Sequence, residues 1–124
     1  MVKKLTSVYH EQLALYQKIL SLVEQEHNAL ARCEPLGCII DSFRMKRDLL
    51  NRIETMDRSI AGEKSEYLKY RTSFDPSETS RLNDMLKNIK RMIRQILELE
   101  ERNERTVLTY SDPVETAAVV MAED

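Results

Sequence analysis

The chain has 124 residues, a formal net charge of −2, 42 % hydrophobic and 32 % charged residues, two glycines and three prolines. That is one domain's worth of polypeptide. A sheet protein turns roughly every eight to twelve residues and spends glycine, proline and asparagine on those turns, so a β architecture is excluded. Near-neutral charge excludes a general attraction to nucleic acid or anionic membrane, and no apolar run reaches the ~18 residues that a membrane span needs.

The first predicted helix carries Leu5, Val8, Tyr9, Leu15, Tyr16, Ile19, Leu22, Val23, Ala29 and Leu30 at alternating spacings of three and four, which lines them up on one stripe. Lys18, Glu24, Gln25 and Asn28 form its solvated face. The run ends near Cys33, because proline disfavours helical geometry in the residue before it and Glu34-Pro35 follows. Pro35 suits the first position of a second helix. That helix reads Leu36, Ile39, Ile40, Phe43, Leu49, Leu50, Ile53, Met56, Ile60, Tyr67 and Leu68, with a kink or frayed stretch expected at Gly62.

Asp75-Pro76-Ser77-Glu78 is a start signal. The aspartate can cap exposed N–H groups, proline fits the first turn, and the glutamate can reach back as in a capping box. The third helix then shows Leu82, Met85, Leu86, Ile89, Met92, Ile93, Ile96 and Leu97, and runs on to Val107 and Leu108. Its stripe turns polar at Glu100 and Asn103, residues that either set register within a bundle or mark where it opens.

A second start signal, Asp112-Pro113-Val114-Glu115, opens a short fourth helix that is apolar nearly all round through Val119, Val120 and Met121. A helix of about ten residues does not hold itself in water, so another surface must cover it. The expected architecture is all-α: an elongated antiparallel bundle of three long helices over residues 1–110, plus a short C-terminal apolar helix or tail over residues 111–124. Whether this segment completes the bundle core or meets a partner helix stays open.

Motifs for chemistry are sparse. Glu24-Gln25-Glu26-His27 holds one Glu-x-x-His half-site of a di-iron bundle, but a working centre needs a second copy and two more inward glutamates, and Ser7 stands three residues before His10. The reading preferred for it is a solvated face beside the stripe. Cys33 and Cys38 make half a zinc site at most and read as small apolar fillers; two cysteines are also too few for a disulfide scaffold. The basic row Arg81, Lys87, Lys90, Arg91 and Arg94 lacks interleaved aromatics, so it reads as a solvated bundle face. With no phosphate loop, nucleophile elbow or Ser/His/Asp set, the expectation is a protein without enzyme chemistry, metal or cofactor. The start, Met1-Val2-Lys3-Lys4-Leu5-Thr6, lacks the apolar core of a signal peptide, so a cytoplasmic location is expected.

Leu13-Ala14-Leu15-Tyr16-Gln17-Lys18-Ile19-Leu20-Ser21-Leu22-Val23-Glu24-Gln25-Glu26-His27-Asn28-Ala29-Leu30 resembles the opening helix of FlgN-like flagellar export chaperones: a leucine-rich helix, an acidic pair, then Ala-Leu. Lys46-Arg47-Asp48-Leu49-Leu50 is similar to that family's Lys-x-x-Leu-Leu segment, and Leu99-Glu100-Glu101-Arg102-Asn103-Glu104-Arg105-Thr106-Val107-Leu108 to its closing stretch. The resemblance spans most of the first 110 residues. It implies a chaperone of flagellar type III secretion that binds terminal helices of hook–filament junction proteins and delivers them to the export gate at the membrane, with no nucleic-acid partner and no membrane insertion. Asn103, Val107 and Leu108 match the family stretch as partner contacts, and apolarity and position add Leu99, Tyr110, Val114, Ala118, Val119 and Met121. Two alternatives stay beside it: a structural homo-oligomeric coiled coil, a homodimer included, and a chaperone of the filament cap protein.

Overall fold

The computed structural model describes residues 1–32 and 37–110, with side chains for 1–32 and 39–107. Four α-helices and a 3₁₀ turn occupy them: α1 (Val2–Ala31), α2 (Gly37–Ser59), α3 (Ala61–Lys69), the turn Arg71–Ser73, and α4 (Pro76–Tyr110). No strand occurs among the described residues, and none of the described helices is long and apolar enough to cross a membrane. The expected C-terminal helix, and with it Val114, Ala118, Val119 and Met121, lies outside them, as do the side chains of Cys33, Cys38, Leu108 and Tyr110.

Helix α1 is the shared partner. α4 packs along it most extensively and α2 next, whereas α2 and α4 touch each other little. The contacts give directions. The start of α1 (Val2, Leu5, Tyr9) shares a core cluster with Ile60, Tyr67, Leu82 and Ile89, and its middle (Leu15, Ile19, Val23) shares a second with Ile53 and Ile96. Near its end, Glu26 meets Lys46, which also donates to Glu100. Along α1, therefore, the residue numbers of α2 fall while those of α4 rise: α2 runs against both other long helices, and α4 runs with α1.

Two expected features of the second helix need correction. A single helix continuing to Leu68, weakened at Gly62, is replaced by two helices that part at Ile60. The Ser59 hydroxyl donates to the Met56 carbonyl at 2.6 Å, the acceptor that the Ile60 N–H would use in a continuing helix, and that N–H goes instead to the Asp57 carbonyl at 3.3 Å. Ile60 leaves helical geometry at φ −113° and ψ 11° while its side chain sits in the core with 0 % exposure. Gly62 lies inside α3, and a β-carbon there would meet open space. The buried seam of α2 is also narrower than the apolar run in its sequence. It follows Ile39, Ser42, Lys46, Leu49, Ile53, Met56 and Ile60, whereas Ile40, Phe43 and Leu50 are about half exposed.

The start of α4 falls where the Asp-Pro signal places it. The Asp75 carboxylate accepts from the N–H and the hydroxyl of Ser77, both at 2.9 Å, and these bonds hold its carboxyl below the usual range. Glu78 makes no reciprocal bond to the cap; the Thr79 hydroxyl turns back to the Asp75 and Pro76 carbonyls instead.

A polar inclusion separates the two apolar clusters. Gln12, buried on α1, donates to the Asp57 carboxylate at 2.6 Å. Tyr9 and Tyr16, about one turn to either side, have pKa values raised by burial first and by the Asp57 charge second. For an acid whose folded pKa is raised, the unfolded chain loses its proton first, so that contribution to stability is present below the unfolded tyrosine pKa of ~10 and is lost as pH rises above it. Urea titrations between pH 8 and pH 11 are expected to show stability falling from about pH 10, and Tyr9→Phe with Tyr16→Phe to flatten that fall.

Candidate functional site

Where α2 and α4 diverge toward the end of α1, they leave a groove of about 370 Å³. Its floor is α1, through Glu26 and Leu30. One wall is α2, through Ile39, Phe43 and Lys46, and the other is α4, through Glu100, Asn103, Glu104 and Val107. The apolar members come from the 3–4 stripes of three helices, so they converge without any special local geometry. Phe43 is the most open of them at 52 % exposure, and Lys46 Nζ lies 4.7 Å above its ring centroid.

A charged network is set into this site. Glu26, 4 % exposed, takes the Lys46 ammonium at 2.9 Å through one carboxylate oxygen and 3.0 Å through the other, and accepts the Ser42 hydroxyl at 2.7 Å. Lys46, 9 % exposed, also donates to Glu100 at 3.1 Å, which ties α1, α2 and α4 together at one level. One turn further along α4, buried Asn103 donates its amide to the Val23 carbonyl at 3.1 Å, and its oxygen lies 3.0 Å from His27 Nδ1. An amide oxygen only accepts, so His27 carries its hydrogen on Nδ1 in this pairing. Every buried side-chain nitrogen and oxygen among the described residues has a hydrogen-bond partner.

This placement corrects the reading of Glu24-Gln25-Glu26-His27 as a solvated face. Glu24 and Gln25 are exposed, but Glu26 is a buried hub and His27 is half buried. The stretch is polar and turned inward because Lys46 and Asn103 meet it there. Among the described residues, no group of three or more His, Cys, Asp or Glu side chains is arranged to hold a metal ion.

Of the expected partner contacts, Asn103 and Val107 come together in the groove, Asn103 already engaged with α1. Leu99 is half buried against the central core cluster and does not line the groove. The backbone of Leu108 and Tyr110 continues α4, and the remaining four lie outside the described residues. Sequence reasoning missed Leu30, Ile39 and Phe43 as groove residues and Lys46 and Glu26 as buried ones. The available signal was the 3–4 spacing itself, since Lys46 sits between Ile39 and Ile53 on the α2 seam, and Glu26 between Val23 and Leu30 on that of α1.

The basic row Arg81, Lys87, Lys90, Arg91 and Arg94 is exposed throughout. A larger hollow of about 630 Å³ lies at the opposite end, between the first turns of α1 and the start of α4, lined by Val2 and Met85 together with polar residues including Lys3, Ser7, His10 and Arg81. No protein-family model matches this chain, and no characterised protein or solved structure was found to be similar to it.

Proposed function

We infer that this protein is a cytoplasmic export chaperone whose client lays an amphipathic helix into the groove between α2 and α4. One observation carries the reading: three helices converge there and bring the apolar side chains Leu30, Ile39, Phe43 and Val107 together around a buried polar network, and a helix laid along them completes a fourth position around α1. That is helix-in-groove recognition, in which apolar side chains at 3–4 spacing supply the affinity. The client class is the one that the sequence resemblance implies, a terminal helix of a hook–filament junction protein, held and then delivered to the flagellar export gate. On this reading residues 1–110 form an elongated bundle of three long helices in which α2 runs antiparallel to α1 and α4.

The groove is small, and Phe43 is the large exposed apolar side chain among its described residues. A few buried anchors carry most of the energy of such an interface. Titration of a fluorescent peptide, taken from the terminal helix of a junction protein, into the full chain is the test. Phe43→Ala is expected to weaken binding at least tenfold, and Leu68→Ala, on an exposed position of α3 toward the other end, to leave it unchanged. Equal affinities for all three proteins would remove the groove as the client site, and absence of binding by the unaltered protein would remove this client class.

The second reading is a homo-oligomeric coiled coil. The observation that favours it is the row Ile40, Phe43 and Leu50, half exposed along one side of α2. Light scattering separates the two: a tight oligomer that persists at nanomolar concentration favours the scaffold, and a monomer favours the chaperone.

A further inference from the structure

Helix α3 stands off from the rest of the bundle. It begins where α2 breaks at Ile60, touches α1 and α2 in a few places, and touches α4 less still. Between α3 and the α1–α4 pair lies a cavity of about 260 Å³, on the opposite half of α1 from the α2–α4 groove. Its floor is apolar, through Leu5, Leu82 and Ile89 of the core. Polar side chains reach it from each surrounding helix and from the 3₁₀ turn. An apolar floor with a few convergent polar groups is the usual construction of a small-molecule site.

Tyr9 supplies the observation that points to a ligand. It is 5 % exposed, yet its hydroxyl has no hydrogen-bond partner among the described residues. Every side-chain nitrogen and oxygen that protein closes off there does have one. The Tyr9 hydroxyl therefore opens onto the cavity that the residue lines. Tyr16, half buried two turns further along α1, is in the same position. Burial first and the Asp57 charge second raise the pKa of both phenols, so both keep their hydrogens and offer donors.

Charge selects the kind of ligand. Lys64 of α3 and Arg71 of the 3₁₀ turn line the cavity at its exposed rim, and neither forms an ion pair among the described residues. Against these two cations stands one lining carboxylate, Asp57, which already accepts the Gln12 amide at 2.6 Å. We propose that this cavity binds a small amphipathic anion, a carboxylate on an aromatic or short aliphatic body. The body lies on the leucine and isoleucine floor, and the carboxylate meets Lys64, Arg71 and the phenol hydroxyls. An arginine fork matches a carboxylate with two parallel hydrogen bonds, which a neutral or cationic head cannot use. The volume falls just under the roughly 300–1,000 Å³ of drug-sized sites, so the body is small. The site is separate from the client groove and does not rest on that reading.

The test titrates three probes with one common body, phenylbutyrate, phenylbutanol and phenylbutyltrimethylammonium, into the full chain carrying isotope-labelled tyrosine. The protein has five tyrosines; Tyr9, Tyr16 and Tyr67 line the cavity, and the exposed Tyr70 does not. In NMR spectra phenylbutyrate is expected to shift the resonances of those three and leave Tyr70 in place. The alcohol should bind about tenfold more weakly and the ammonium more weakly still. Arg71→Gln and Lys64→Gln, both at exposed positions, are each expected to weaken phenylbutyrate about three- to tenfold and to leave the alcohol unchanged, a difference that loss of fold would not produce.

Titration of all three probes without movement of Tyr9, Tyr16 or Tyr67 overturns the site. An ammonium probe that binds as tightly as phenylbutyrate overturns the anion class, in favour of a cation held between the tyrosine rings and Asp57. Phenylbutyrate affinity that neither variant changes overturns the parts given to Lys64 and Arg71.

Discussion

Replacing Lys46 by alanine is expected to lower the unfolding free energy by about 3–5 kcal/mol, because it leaves Glu26 buried without its counter-charge. Glu26 is 4 % exposed, and its remaining partner among the described residues is the Ser42 hydroxyl. One neutral hydrogen bond offsets only a fraction of the cost of a dehydrated carboxylate. Removing the whole network should behave differently: Glu26→Leu with Lys46→Met exchanges a charged pair for apolar packing of similar volume, and such exchanges are often neutral or stabilising. Urea denaturation of both variants at pH 7 decides it. A loss below about 1 kcal/mol for Lys46→Ala would mean that water reaches Glu26 and that the network is not a buried one.

Ile60→Ala is expected to cost about 2–5 kcal/mol, the range for truncating a fully buried aliphatic side chain. Ile60 has no exposed surface and joins the cluster formed by α1, α3 and α4. The break between α2 and α3 is therefore held from inside: the side chain is anchored in the core while the backbone turns around it. Gly62→Ala, two residues away, is expected to do the opposite and stabilise by up to about 1 kcal/mol, since a helical glycine costs backbone entropy and nothing occupies the space of the added methyl. Thermal or urea unfolding of the two variants locates the hinge. A destabilising Gly62→Ala together with a mild Ile60→Ala would put it back at the glycine.

Much of this architecture is legible in residue order. The stripe of α1 reads straight into its buried positions, with Leu5, Tyr9, Leu15, Ile19, Val23 and Leu30 all in the interior. Asp75-Pro76 marks the first turn of α4 because cap chemistry is local and needs no knowledge of the fold. What stayed hidden depends on partners distant in sequence. Gln12, Glu26 and Lys46 occupy seam positions, but a polar residue on a seam reads as a gap until its counterpart is known, and those counterparts lie 20 to 54 residues away.

The groove was hidden for a related reason. Phe43 carries the same apolar signal as Ile39, and the divergence of α2 from α4 leaves it open. Periodicity reports which side chains share a face; it does not report which of two adjacent faces another helix covers. The break at Ile60 goes with a serine hydroxyl that takes one backbone carbonyl, which glycine-based punctuation does not foresee.

The shared direction of α1 and α4 has a practical consequence. Because both helices travel the same way, the first turn of α1 and the groove sit at opposite ends of the rod, about 35–40 Å apart at 1.5 Å per helical residue. A dye or a surface tether placed at Lys3 therefore leaves the Phe43 end clear for the client helix of the proposed function. It also sits within energy-transfer range of a second dye on a captured helix, and the distance reported should shorten sharply if the client lies along the opposite end instead.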